Sequence, residues 1–254
     1  MIEVKNLSKS FPARKVLDNI SVTLQQGKTN LIIGSSGSGK TTFIKCLVGL
    51  FEIDEGSILY DGDNFTDLPD KERREIRKKI GMVFQGGALF DSMTVIENVL
   101  FPLNIFSTMA RSEKEDRANF CLQRVNILNA NSLYPSEISG GMKKRVAIAR
   151  AIAMNPRYLF FDEPNSGLDP QTAILIDQLI EEITEEYDIT TVINTHDMNS
   201  VLEIGQNIIF LNQGKLHWEG NKEEILLTED PALENFVYAS NLFKQLRKEM
   251  IRKK

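Results

Sequence analysis

The run Gly34-Ser35-Ser36-Gly37-Ser38-Gly39-Lys40-Thr41, entered from Leu31-Ile32-Ile33 and left through Thr42-Phe43-Ile44, restricts the fold more than any other stretch. An apolar strand here meets a glycine-rich turn and then a helix, the arrangement that aims successive backbone N–H groups and the positive end of a helix dipole at an anion. Lys40 adds a mobile positive charge, and the Thr41 hydroxyl is a ligand suited to Mg²⁺. A plain glycine-serine turn has the same composition, but it needs neither the strand before it nor the helix after it. The pattern predicts an α/β fold that grips the phosphates of a nucleoside triphosphate.

Composition narrows the setting. With 254 residues, 42% of them hydrophobic, the chain can bury a sizeable core as one large domain or two unequal lobes. A net charge of −5 argues against nucleic acid as a main partner, which usually demands a broad basic footprint. Cys46 and Cys121 have neither disulfide-scaffold nor zinc spacing, so both are expected to pack in a reducing compartment. No apolar stretch approaches the ~18 residues of a membrane span, and no signal peptide is expected at the N-terminus.

Periodicity predicts strands over 2–6, 16–24, 29–33 and 57–61, a helix over 71–79 and a strand over 81–85 ending at Gln85. Residues 93–155 read as mainly helical. After Pro156 strands are expected at 158–161, 190–194 and 207–211, alternating with helices at 170–187 and 198–204. That alternation predicts parallel strands covered by helices.

Two further motifs carry chemistry. Tyr158-Leu159-Phe160-Phe161-Asp162-Glu163 is an apolar strand that delivers two carboxylates to a sheet edge, and a divalent cation is the natural reason to keep both ionised there. Asp162 is expected to hold the metal shell and Glu163 to act as general base on a water. Ile138-Ser139-Gly140-Gly141-Met142-Lys143-Lys144-Arg145 opens an apolar-periodic helix and makes a second anion site, although by itself it also reads as a serine cap with flexible glycines.

Together, these residues resemble an ATP-binding cassette, the nucleotide-binding subunit of ABC transporters, from Ile2 to about Gly220. The resemblance implies a P-loop NTPase (RecA-like) α/β core, formed by 1–85 and 156–220, with an N-terminal antiparallel β subdomain. It also implies an inserted helical subdomain at 86–155 and a helical tail at 221–254. By the same resemblance Gly34, Ser35, Ser36, Gly37, Ser38, Gly39, Lys40, Thr41 and Thr42 hold ATP, Phe11 stacks on adenine, and Thr41, Gln85 and Asp162 serve Mg²⁺. Glu163, His196, Lys40 and Gln85 take the catalytic roles. Ser139, Gly140 and Gly141 of the signature, with Asp169 of the D-loop Ser166-Gly167-Leu168-Asp169, face the ATP of a second copy in a head-to-tail dimer. Phe11 stands where tyrosine is usual, and Ile138 and Met142 depart from the commonest signature without removing its hydroxyl or glycine N–H groups.

The stretch from Gly86 through Leu103, and Gly141-Met142-Lys143-Lys144-Arg145, resemble Mla-type phospholipid-transport ATPases. That implies an MlaE-like permease and an MCE-domain protein as partners, with this chain on the cytoplasmic side of the inner membrane. A transporter for another cargo is the alternative. Soluble ABC ATPases of DNA repair or translation are disfavoured, because they carry a long coiled-coil insertion or two cassettes. In the tail, Phe236, Val237, Leu242, Phe243 and Leu246 suggest an apolar helical stripe. Lys244, Arg247, Lys248, Arg252, Lys253 and Lys254 read as a solvated end, with anionic lipid heads as the other reading.

Overall fold

The computed structural model describes residues 1–12 and 14–237. The chain opens with β1 (Ile2–Phe11), β2 (Arg14–Leu24), β3 (Thr29–Ile33), α1 (Lys40–Leu47), β4 (Glu55–Tyr60) and β5 (Asp63–Asn64). It continues through α2 (Asp70–Arg77), β6 (Ile80–Val83), α3 (Val95–Phe106), α4 (Arg111–Arg124), α5 (Gly140–Ile152), β7 (Tyr158–Asp162) and α6 (Pro170–Glu186). The last elements are β8 (Thr190–Asn194), α7 (Met198–Ile204), β9 (Asn207–Asn212), β10 (Lys215–Gly220), α8 (Lys222–Ile225) and α9 (Pro231–Val237).

Among the described residues two compact units share these elements, one built from 1–25, 29–66 and 194–237, the other from 26–28 and 67–193. In the first, β2-β1-β4-β5 form an antiparallel sheet. The β1–β2 hairpin buries Ile2, Val4 and Leu7 against Leu17, Ile20, Val22 and Leu24, the apolar alternation expected of strands with one covered face. Both strands run further than the sequence pattern suggests. Pairing of Lys9 with Leu17, Ser10 with Lys15 and Phe11 with Arg14 carries polar residues into the ladder. In the same unit β10, β9 and β3 lie side by side, β3 parallel to β9 and β10 antiparallel to it. All five residues of β3 are buried, as a strand covered on both faces must be.

The second unit sets β8, β7 and β6 next to one another, with β6 and β7 parallel. Its helices α3, α4 and α5 pack together, and Val99, Leu103, Ala118, Leu122, Val146 and Ala147 on them are all buried. A capping box starts α3: Thr94 Oγ1 accepts from the Glu97 N–H while the Glu97 carboxylate accepts from the Thr94 N–H at 2.8 Å.

The strand expected to end at Gln85 stops at Val83. The chain turns there, with the Gly87 N–H donating to the Phe84 carbonyl at 2.8 Å and Gly87 and Ala88 in the left-handed region. Gln85 therefore sits in a loop. Helix α2 ends at Arg77, short of the expected 79, because the Lys79 carbonyl is taken by the N–H groups of Arg157 and Tyr158.

Cys46 and Cys121 are both buried, which pushes their thiols up to about 12 and about 11 and leaves them inert packing groups. Of the expected tail stripe, Phe236 and Val237 belong to α9, where Phe236 packs 5.4 Å from the Phe210 ring. Leu242, Phe243, Leu246 and the closing basic residues lie outside the described residues. Among the described residues no helix is long and apolar enough to cross a membrane.

Candidate active site

In the first unit β3 hands the chain to a loop that reaches α1 at Lys40. Gly34 (φ 149°) and Gly39 (φ 105°) bend it. A Cβ at Gly34 would lie 2.3 Å from the Leu211 carbonyl oxygen, and one at Gly39 2.7 Å from Leu17 Cδ2, so side chains are excluded at both bends. Lys40 is 8% exposed, and its ammonium folds back to donate to the carbonyls of Gly34 (2.8 Å) and Ser35 (3.1 Å). The Ser38 hydroxyl is buried with no hydrogen-bond partner, while Ser35, Ser36 and Gly37 are exposed along the loop. A helix N-terminus, an ammonium and an orphaned hydroxyl around one loop form a donor set that fits a polyphosphate.

The exposed Thr41 is joined by the amide of Asn194, whose Nδ2 donates to Thr41 Oγ1 at 3.3 Å. One residue on, the Thr195 N–H donates to the Ile32 carbonyl at 3.2 Å, which fixes the start of the segment that carries the exposed His196. Asp197 then caps α7 by accepting from the Asn199 N–H at 2.8 Å. Phe11, at the end of β1, is 39% exposed and packs edge-on against Phe51 with centroids 5.5 Å apart.

In the second unit β7 ends at Asp162 and places Glu163 in the left-handed region, φ 51°. A non-glycine residue held there costs roughly 1–3 kcal/mol and tends to mark working sites. Gln85 Nε2 donates to Glu163 Oε2 at 3.0 Å and to Ser166 Oγ at 3.2 Å, so three residues from two loops share one hydrogen-bonded set. The following turn is anchored by the Asn165 amide, which donates to the buried Asp177 carboxylate at 2.8 Å. Asp169 caps α6, accepting from the Thr172 hydroxyl at 2.6 Å and its N–H at 3.0 Å. Those bonds from Thr172 hold the Asp169 carboxyl below the usual carboxylate range.

Ser139 caps α5, its Oγ accepting from the Met142 N–H at 3.2 Å, with Gly140 and Gly141 forming the first helical positions. A Cβ on Gly141 would fall 2.7 Å from Thr172 Cγ2, so glycine lets the start of α5 close on the start of α6. Ile138 is buried, which accounts for an apolar residue there.

Among the described residues no cluster of three or more His, Cys, Asp or Glu forms a metal cage. Thr41, Asp162 and Gln85 carry oxygen atoms of the hard kind that Mg²⁺ takes. No contiguous motif in the sequence marks Asn194 as the partner of Thr41, Ser166 as the partner of Gln85, or Lys144 as a functional residue. The only signal for Lys144 was a lysine just before the apolar run of α5.

The family model described as ABC transporter matches residues 17–166. The intermembrane phospholipid transport system ATP-binding protein MlaF of Haemophilus influenzae is 36% identical over 237 residues, covering 93% of this chain and 90% of its own length. The arginine transport ATP-binding protein ArtM of Bacillus subtilis is 39% identical over 229 residues, covering 90% and 94%. The dimeric post-hydrolysis structure of the ATP-binding cassette MJ0796 with ADP and Pi superposes with TM-score 0.80 at 35% identity, covering 87% of this chain and 99% of its own. The α/β phosphate-loop NTPase architecture expected from the sequence is the one this likeness shows.

Proposed function

The chain belongs to the ABC transporter family as an ATP-hydrolysing subunit, and from that premise we propose that it drives an MlaE-like permease moving phospholipid, with an MCE-domain protein completing the complex. Identity alone does not choose this cargo, since relatives named for arginine and phospholipid transport match at 39% and 36%. The observation that supports the choice is a groove of about 970 Å³ in the second unit, lined by Phe84, Ala88, Phe90, Phe101, Pro102 and Phe106 among others. Four of these lie in the 86–103 stretch that resembles Mla-type ATPases. Lys71, Arg74, Arg77, Lys78 and Arg150 also line the groove, together with one acidic residue, Glu75, which pairs with Lys78 at 2.8 Å. An apolar lining with a mainly basic charged set fits a short permease helix that is apolar with an acidic end, and it would hold this chain at the cytoplasmic face of the inner membrane.

In this reading ATP is the substrate. The Gly34-to-Thr42 loop binds its phosphates, with Lys40 countering their charge and Phe11 stacking on the base. Thr41, Asp162 and Gln85 would hold Mg²⁺, which neutralises charge developing on the phosphate oxygens. Glu163 accepts the proton of the attacking water, and His196 contacts the transferred phosphoryl group. Ser139, Gly140, Gly141 and Asp169 serve the ATP of a second copy. ATP then closes a head-to-tail dimer, and loss of phosphate reopens it, so closure follows the charge between the subunits.

Purification from membranes through a tag on this chain tests the reading. Recovery of an MlaE-like permease with an MCE-domain protein, and ATP turnover responsive to phospholipid, is the expected outcome; recovery with an amino-acid permease assigns another cargo. Phe106, 51% exposed at the end of α3, supplies a companion variant. Phe106→Glu is expected to lose the membrane partner on pull-down while the isolated chain binds ATP as before.

A further inference from the structure

Lys144 is 6% exposed, on a helix whose later residues Val146, Ala147, Ile148 and Ala149 are all buried. Taking an ammonium out of water is costly unless hydrogen bonds and opposite charge replace its hydration. Both are supplied here. Lys144 Nζ donates to the carbonyl of Gln85 and, at 3.5 Å, to that of Glu163. Burial lowers the Lys144 pKa, while the carboxylates of Glu163 and Asp162 oppose that shift and favour the charged form.

The two carbonyls belong to the two residues whose side chains hold each other, Gln85 Nε2 to Glu163 Oε2 at 3.0 Å. One side chain of α5 thus fixes the main chain beneath the general base and beneath its amide partner. Six residues further along α5, Arg150 donates to the carbonyls of Ala88 and Gly87, both at 2.8 Å. The helix opened by Ser139 therefore grips the loop from Gln85 to Ala88 at three carbonyls, and the turn after β7 at a fourth.

We propose that Lys144 is a positioning residue for ATP hydrolysis. It sets the placement of Gln85 relative to Glu163, and it passes any movement of the helix bearing the signature to both at once. The proposal rests on the ATPase reading above. A lysine that served only to fill space in α5 would be replaceable by methionine, which has a similar unbranched length, without altering turnover.

The test compares wild type, Lys144→Met and Lys144→Arg in the purified membrane complex, with hydrogen exchange of residues 84–88 measured on the isolated chain without nucleotide. Misplacing a catalytic group by an ångström costs up to about 100-fold. Lys144→Met is expected to lower kcat roughly 10- to 100-fold with KM for ATP within about twofold, and to speed exchange over 84–88. Lys144→Arg, which keeps the cation, is expected to recover most of both. Should Lys144→Met fail to fold, Lys144→Gln, which lacks the charge and ends one atom short of the lysine nitrogen, is expected to show the same loss of kcat. A folded Met or Gln variant with wild-type kcat, or one whose loss lies wholly in KM, overturns the proposal. A wild-type complex without turnover removes the ATPase reading itself, which separates the two failures.

Discussion

Glu163→Gln lowers ATP turnover by roughly 10²–10⁴-fold while leaving ATP bound, the range general-base assistance contributes. The substitution changes one atom of a side chain held by the Gln85 amide at 3.0 Å. A glutamine in its place still offers an oxygen to that amide, so the loop from Gln85 and the turn at Ser166 stay where they are. What is lost is the ability to take a proton. Phosphate release measured beside retention of labelled ATP in the purified complex separates the effects. A variant that turns over as fast as wild type would show that Glu163 is not the base.

Lys40→Ala acts at the other step. The ammonium is the cation of the phosphate loop, already turned inward by its bonds to the Gly34 and Ser35 carbonyls. Hydrogen bonds to charged groups contribute about 1.5–3 kcal/mol each. Losing one to a phosphate oxygen predicts a fall in ATP affinity of about 10- to 100-fold. Calorimetric titration with ATP reads this directly. Equal affinities in the two proteins would mean that the loop binds its ligand without the lysine.

Much of the core could be read from the chain because burial writes itself into local pattern. The spans expected for β3, β8 and α7 match Thr29–Ile33, Thr190–Asn194 and Met198–Ile204. In β3 and β8 every residue is buried. The ends of β1 and β2 were less legible, since Lys9, Ser10 and Lys15 join a strand only because a partner strand lies opposite. Gln85 was misplaced by two residues because the apolar run continues through Phe84, whereas the turn at Gly87 decides where the strand stops.

The candidate site divides in the same way. Its phosphate loop, paired carboxylates and Ser-Gly-Gly helix start are contiguous motifs, and all three stood out in the sequence. The contacts that organise them are not contiguous. Gln85 reaches Glu163 across 78 positions, and Asn194 reaches Thr41 across 153. The left-handed conformation of Glu163 is likewise invisible in a string of letters, because glutamate ordinarily avoids it. Cargo was least legible of all, since the phosphate chemistry of an ATP-hydrolysing subunit does not depend on what the permease carries.

Phosphate release from the complex recovered through this chain, followed with ATP in the presence of Mg²⁺ and again after chelation, tests the central claim most directly. Steady release with Mg²⁺ and its loss on chelation is the expected result, since the proposed hydrolysis needs a divalent cation to neutralise the charge developing on the phosphate oxygens. Release that continues unchanged after chelation, or no release at saturating ATP and Mg²⁺, would contradict it.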